Sequence, residues 1–156
     1  MIDASSDAPL QSPFVRTARI LAIAASVAML LLCLWLFGIA ADHPWRDAMI
    51  TLVTLYSATI LAFLGGVRWA MAFADPRSAD RRDIIVGILP ALVAPAILFI
   101  SMPAVFGLLA AAFAAMGAWD SLSSYAGTVP EWYGRLRTQS TAVLVVALII
   151  AFVATS

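Results

Sequence analysis

The chain has no lysine, one cysteine, one histidine and little charge of either sign: nine arginines balance nine acids, and charged residues are 12% of its 156 positions. Each scarcity removes a class of function. A nucleic-acid binder carries a net basic surface, whereas the formal charge here is zero. A metal or haem centre draws on several ligands, and His43 and Cys33 stand alone, so no metal and no cofactor are expected. Cys33 has no second cysteine to bridge to, and Leu30, Leu31 and Leu32 before it do not make a lipidation signal. No serine stands in a nucleophile elbow, and the Gly65, Gly66 pair lies in an apolar run rather than a phosphate loop. The expectation is that the chain is not an enzyme. Nor does any acid fall in mid-span, where proton-coupled transport usually needs one.

What the sequence does have is oil. Hydrophobic residues make up 63% of the chain, against about 45–50% in a soluble domain, more than one small core can hide. Five apolar runs mark an all-α integral membrane bundle of five transmembrane helices, with spans at 20–41, 48–73, 84–100, 103–120 and 138–155. Residues 1–12 are rich in Ser, Asp, Ala and Pro and read as a disordered tail before a single domain over 13–156. Ser12 followed by Pro13 predicts a helix start, as do Asp42 before Pro44 and the capping-box pattern from Thr128 to Glu131, which would open the fifth helix near Val129. Pro90 and Pro95 should kink the third span and place it inside the bundle, where neighbours can satisfy the freed carbonyls. The first run is too long for the core of a cleaved secretory signal.

Arginines set the orientation. Arg16 and Arg19, then Arg77, Arg81 and Arg82, then Arg135 and Arg137 fall on one side of the five spans, and only Arg46 falls on the other. By the positive-inside rule the N-terminus is cytoplasmic and the C-terminus outside, in a bacterial inner membrane. Trp69, Trp119, Trp132 and Tyr133 then lie at the cytoplasmic boundary and Trp45 at the outer one.

Three constellations stand out. In the second span, Thr54, Ser57, Leu61, Gly65 and Arg68 line one helical seam beside the small residues Ala58, Ala62 and Gly66. The expected partner of that seam is the fourth span, whose Gly107, Ala111 and Ala115 supply a matching small face. Arg68 and Asp120 should reach the same membrane depth, which makes them a candidate ion pair. Finally, Arg68, Trp69, Trp132, Tyr133, Arg135 and Arg137 form a candidate patch for an anionic headgroup or a partner's acidic surface, because guanidinium forks match phosphate and carboxylate geometry.

Tyr56, Ser57, Leu61, Ala62, Phe63, Leu64, Gly65, Gly66, Val67, Arg68 and Trp69, followed by Pro130, Trp132, Tyr133, Leu136, Arg137 and Thr141, give the chain a further likeness. It resembles an uncharacterised family of small multi-span membrane proteins that includes the mitochondrial transmembrane protein 69. The resemblance implies a bacterial inner membrane or its mitochondrial descendant and brings no activity with it. From the residues, the first expectation is a non-catalytic scaffold, assembly or interaction protein using its cytoplasmic arginine and aromatic face. Its partners would be membrane lipids and a membrane protein or a second copy of itself, with no nucleic acid. The alternative is a small-molecule or lipid-binding carrier with a cavity between helices 2, 3 and 4.

Overall fold

The computed structural model describes residues 13–74 and 81–156; Asp75, Pro76, Arg77 and Asp80 of the predicted loop, and the predicted tail at 1–12, lie outside the described residues. The described chain is all-helical: α1 (Pro13–Gly38), α2 (Arg46–Ala74), α3 (Arg81–Ile97), α4 (Ala104–Tyr125) and α5 (Glu131–Ala154). Of these, α1, α2, α4 and α5, with 26, 29, 22 and 24 residues, are long and apolar enough to cross a membrane. By length and composition the chain is therefore a multi-pass membrane protein. With 17 residues, α3 reaches only about 26 Å, a little short of a hydrocarbon core of about 30 Å.

The outside of the bundle carries the apolar signature of lipid contact. Leu31, Phe63 and Leu92 are 60%, 67% and 65% exposed, a surface that water would penalise and acyl chains would not. Inside, Met29, Cys33 and Leu36 of α1 meet Val53 and Leu61 of α2, Phe106, Leu109 and Phe113 of α4, and Leu144, Ala147 and Leu148 of α5 in one cluster. The most extensive contacts are α4 with α5, α2 with α3, and α1 with α5; α2 and α3 touch α4 only lightly. The molecule is thus a pair of hairpins, α2/α3 and α4/α5, with α1 laid along α5.

Helix ends differ from the sequence expectation in physically readable ways. The fourth helix does not stop at Asp120 but continues to Tyr125, with the Ser121 hydroxyl bonded back to the Gly117 carbonyl at 2.8 Å and Asp120 and Ser123 turned to Arg68. The capping box at α5 does not form: Thr128 turns back to the Ser123 carbonyl at 3.0 Å, and the helix opens at Glu131 after Pro130. Before α2 the His43 Nδ1 accepts from the Trp45 amide at 3.2 Å, and the helix begins at Arg46 rather than directly after Pro44.

The third helix also departs from expectation. It lies at the edge of the bundle, with Ile85, Leu89 and Leu92 exposed and only Gly87, Pro90, Ala94 and Ile97 buried. Both prolines fit within one continuous helix, and Pro90 turns toward Gly65 of α2.

Successive helices run antiparallel, so the starts of α1, α3 and α5 share one end with the finishes of α2 and α4. At the opposite end Arg46 acts as a clamp: its guanidinium donates to the Ile39 carbonyl at 3.0 Å, just past α1, and to the Ala154 carbonyl, the last residue of α5. A cation there also faces the negative ends of two helix dipoles. Arg46→Ala is expected to lower bundle stability by about 1.5–3 kcal/mol, the range for a charged hydrogen bond, in reversible denaturant unfolding from detergent. A change below about 0.5 kcal/mol would show the clamp to be idle.

Candidate functional site

At the end opposite Arg46 the bundle gathers four charges, three of them buried. Arg68 sits near the finish of α2, where its Nη2 donates to Asp83 Oδ1 at 2.6 Å and to Ser123 Oγ at 2.6 Å, and its Nη1 faces Asp120 Oδ1 at 3.4 Å. Asp120 gives its second oxygen to Arg137, whose Nε donates to Oδ2 at 2.6 Å. Arg68, Asp120 and Arg137 are buried, and Asp83 is 21% exposed at the rim. Two guanidinium groups thus neutralise two carboxylates. The pairing is obligatory: in a low-dielectric interior an unpaired charge costs several kcal/mol, so each of these groups is tolerable only with the others in place.

Glycine packing explains how the charges meet. A Cβ on Gly65 would stand 2.5 Å from the Gly87 carbonyl oxygen, and one on Gly87 would stand 2.9 Å from the Trp69 amide nitrogen, so α2 and α3 touch backbone to backbone. Arg68 lies three residues after Gly65 and Asp83 four before Gly87, which in an antiparallel pair puts both about one turn beyond the contact. The second hairpin uses the same device. A Cβ on Gly117 would meet the Thr141 side chain at 2.6 Å, and Asp120 and Arg137 lie three after and four before those residues. Each hairpin therefore carries one acid and one arginine beside a glycine contact, with the order reversed, and Arg68 and Asp120 join the two.

Several residues of the expected packing seam fall elsewhere. Thr54, Ser57, Ala58, Leu61 and Gly65 are buried and Ala62 is half-buried, but Gly66 faces outward and a Cβ there would meet nothing within 4 Å. The face of α2 that carries Gly65 meets α3, not α4, since Gly87 and Pro90 offer the close approach. On α4, Ala111 and Ala115 are exposed, while Gly107 faces α5, where a Cβ would stand 3.5 Å from the Phe152 ring. Small residues permit a contact; the facing residue decides whether one forms.

The expected arginine and aromatic patch divides in two. Arg68, Arg137 and Tyr133 turn inward, so neither arginine can take an outside anion without giving up Asp120. Arg135 turns outward, 71% exposed and paired with Glu131. Trp132 is half-buried, edge-on to Phe14 at 6.4 Å and to Tyr133 at 6.1 Å. Trp69 is 40% exposed and packs edge-on to Phe73 at 4.9 Å.

Sequence reading missed Asp83 and Ser123 as members of the network, having placed both in loops. The available signal was helical register: with α3 opened at Arg81, Asp83 falls at the depth of Arg68. Among the described residues, Trp119 Nε1, Tyr133 Oη, Arg137 Nη2 and Thr141 Oγ1 are buried without a protein hydrogen-bond partner. All four lie on the α4/α5 side, so the polar interior there is less fully satisfied than around Arg68. Between α2, α3 and α4 runs an open groove of about 280 Å³, lined by apolar residues including Leu61, Pro90, Val93, Met116 and Trp119.

A family profile described as a protein of unknown function, DUF3429, matches residues 14–153. The chain belongs to the DUF3429 family. The matched stretch holds all four members of the ion network and nearly the whole of the five helices, so the interlocked bundle is what this DUF3429 chain presents as a unit. No curated protein and no solved structure matches the chain.

Proposed function

We propose that this DUF3429 protein is a five-span protein of the bacterial inner membrane, with its N-terminus cytoplasmic and its C-terminus outside, acting as a non-catalytic scaffold, assembly or interaction protein. One observation carries the reading: the buried cations are neutralised inside the chain, while Arg16, Arg19, Arg81, Arg82 and Arg135 stay exposed at the same end. The interior charges hold the helices; the outer ones are left to meet something else. The lipid-facing Ile84, Ile85, Ile88 and Leu92 support α3 as the fifth span despite its length.

The carrier reading has one observation in its favour, the groove between α2, α3 and α4. Its apolar lining suits an acyl chain rather than a polar solute. Native mass spectrometry of gently solubilised membranes separates the two. A stoichiometric protein partner, or a second copy, is expected. Recovery only as a bare chain would overturn the scaffold reading, and a retained apolar molecule lost in Ala115→Trp would favour the carrier. Accessibility tags on the two ends test the topology; both on one face would overturn it.

A further inference from the structure

Beside the starts of α1 and α5 lies a second cavity, a cleft of about 600 Å³ outside the ion network. Arg16 and Arg19 enter it from α1, and Trp132, Arg135 and Gln139 from α5. The Phe14 and Trp132 rings, edge-on at 6.4 Å, hold the two helix starts side by side. Three arginines thus line one volume, and the only acid shown paired with any of them among the described residues is Glu131, on Arg135. That pair is exposed on both sides, 71% and 75%, so it is weak and open to exchange.

Converging like charges repel unless an anion sits among them, and arginine forks favour the paired oxygens of a phosphate. The volume falls within the range of about 300–1,000 Å³ typical of small-ligand sites. Its walls narrow the choice of anion. Trp132 and Leu136 line the cleft, and Ile20 and Ile23 continue outward along α1 with 56% and 45% exposure. A purely polar anion would gain nothing from that apolar continuation, whereas an amphiphile would use both parts. An indole at the junction of polar and apolar surface is suited to the headgroup level.

We propose that the Arg16, Arg19, Arg135 cleft binds the phosphodiester of an anionic phospholipid, with Gln139 and the Trp132 indole beside the headgroup and the acyl chains running down α1. The inference deepens the function proposed above, since it rests on this end lying at the membrane surface. It gives the outer arginine face one defined lipid ligand and does not depend on any protein partner.

The test uses the full purified chain in non-ionic detergent, read by native mass spectrometry with added phosphatidylglycerol, phosphatidylcholine of the same acyl chains, or inorganic phosphate. One phosphatidylglycerol per chain is expected, retained at least about tenfold over phosphatidylcholine. In Arg16→Gln/Arg19→Gln retention should fall by on the order of tenfold or more, as two surface cations near an anionic headgroup imply. Arg135→Gln should weaken it independently. Arg81→Gln/Arg82→Gln removes the same charge from the same end outside the cleft and should leave retention unchanged. No preference between the lipids, or equal loss in the two double variants, would overturn the site. Inorganic phosphate competing as well as the lipid would overturn the lipid assignment. Because none of these readings needs a protein partner, a failed scaffold and a failed lipid site remain distinct results.

Discussion

Asp120→Ala should destabilise the bundle by about 3–5 kcal/mol, the range for removing one partner of a buried pair. The cost arises from what stays behind. Arg137 keeps its burial and loses its 2.6 Å acceptor, while Arg68 loses only its 3.4 Å contact and keeps both Asp83 and, on α4, Ser123. The two couplings should therefore differ. Double-mutant cycles with Arg137→Ala and Arg68→Ala are expected to be non-additive, with the larger interaction energy for Arg137, whose contact is 2.6 Å against 3.4 Å for Arg68. Reversible unfolding in mixed micelles gives all the free energies required. A loss below about 1 kcal/mol for Asp120→Ala would mean that water already solvates the network. Strict additivity would mean that the three charges act separately.

A second large effect is expected from one of two adjacent glycines and not from the other. Gly65→Leu drives a side chain into the Gly87 carbonyl oxygen and the Pro90 ring, where even a Cβ would stand at 2.5 and 3.0 Å. Backbone cannot yield as a flexible side chain can, so the cost is on the order of 3 kcal/mol, at the upper end for overpacking. The α2/α3 hairpin should open, and with it the Arg68 to Asp83 contact. Gly66→Leu, one position on, meets open space and should change stability by no more than about 0.5 kcal/mol. Thermal unfolding of the two variants in one detergent is a paired measurement. Equal effects would refute the assigned register of α2 against α3.

The glycine pair also shows where sequence reading runs out. Run lengths and hydropathy locate all five helices, because lipid imposes a minimum apolar length and strong contrast with the loops. The seam from Thr54 through Arg68 follows from 3.6-residue spacing alone. What spacing cannot supply is the identity of the opposite helix. Gly65 and Gly66 look alike in sequence, and the distinction comes from Gly87 and Pro90, distant along the chain. The same gap hid Asp83, which local reading assigns to a polar loop and register assigns to Arg68. Arg68 and Asp120 could be matched because both were placed by depth from the same membrane face. Arg16, Arg19 and Arg135 could be placed on one side by the positive-inside rule, but that α1 lies along α5 is a tertiary fact. Polar loop ends are the hardest to read, since Thr128 can cap forward or bond backward with almost equal ease, and here it bonds backward.

The last helix closes the molecule at both ends, for α5 brings Arg137 to Asp120 and offers the Ala154 carbonyl to Arg46. Both latches therefore depend on this one helix. Without α5, Asp120 would lose its 2.6 Å partner Arg137, and Arg46 would keep the Ile39 carbonyl but not that of Ala154. A shift of α5 along its own axis would therefore disturb the polar contacts at both ends of the bundle together.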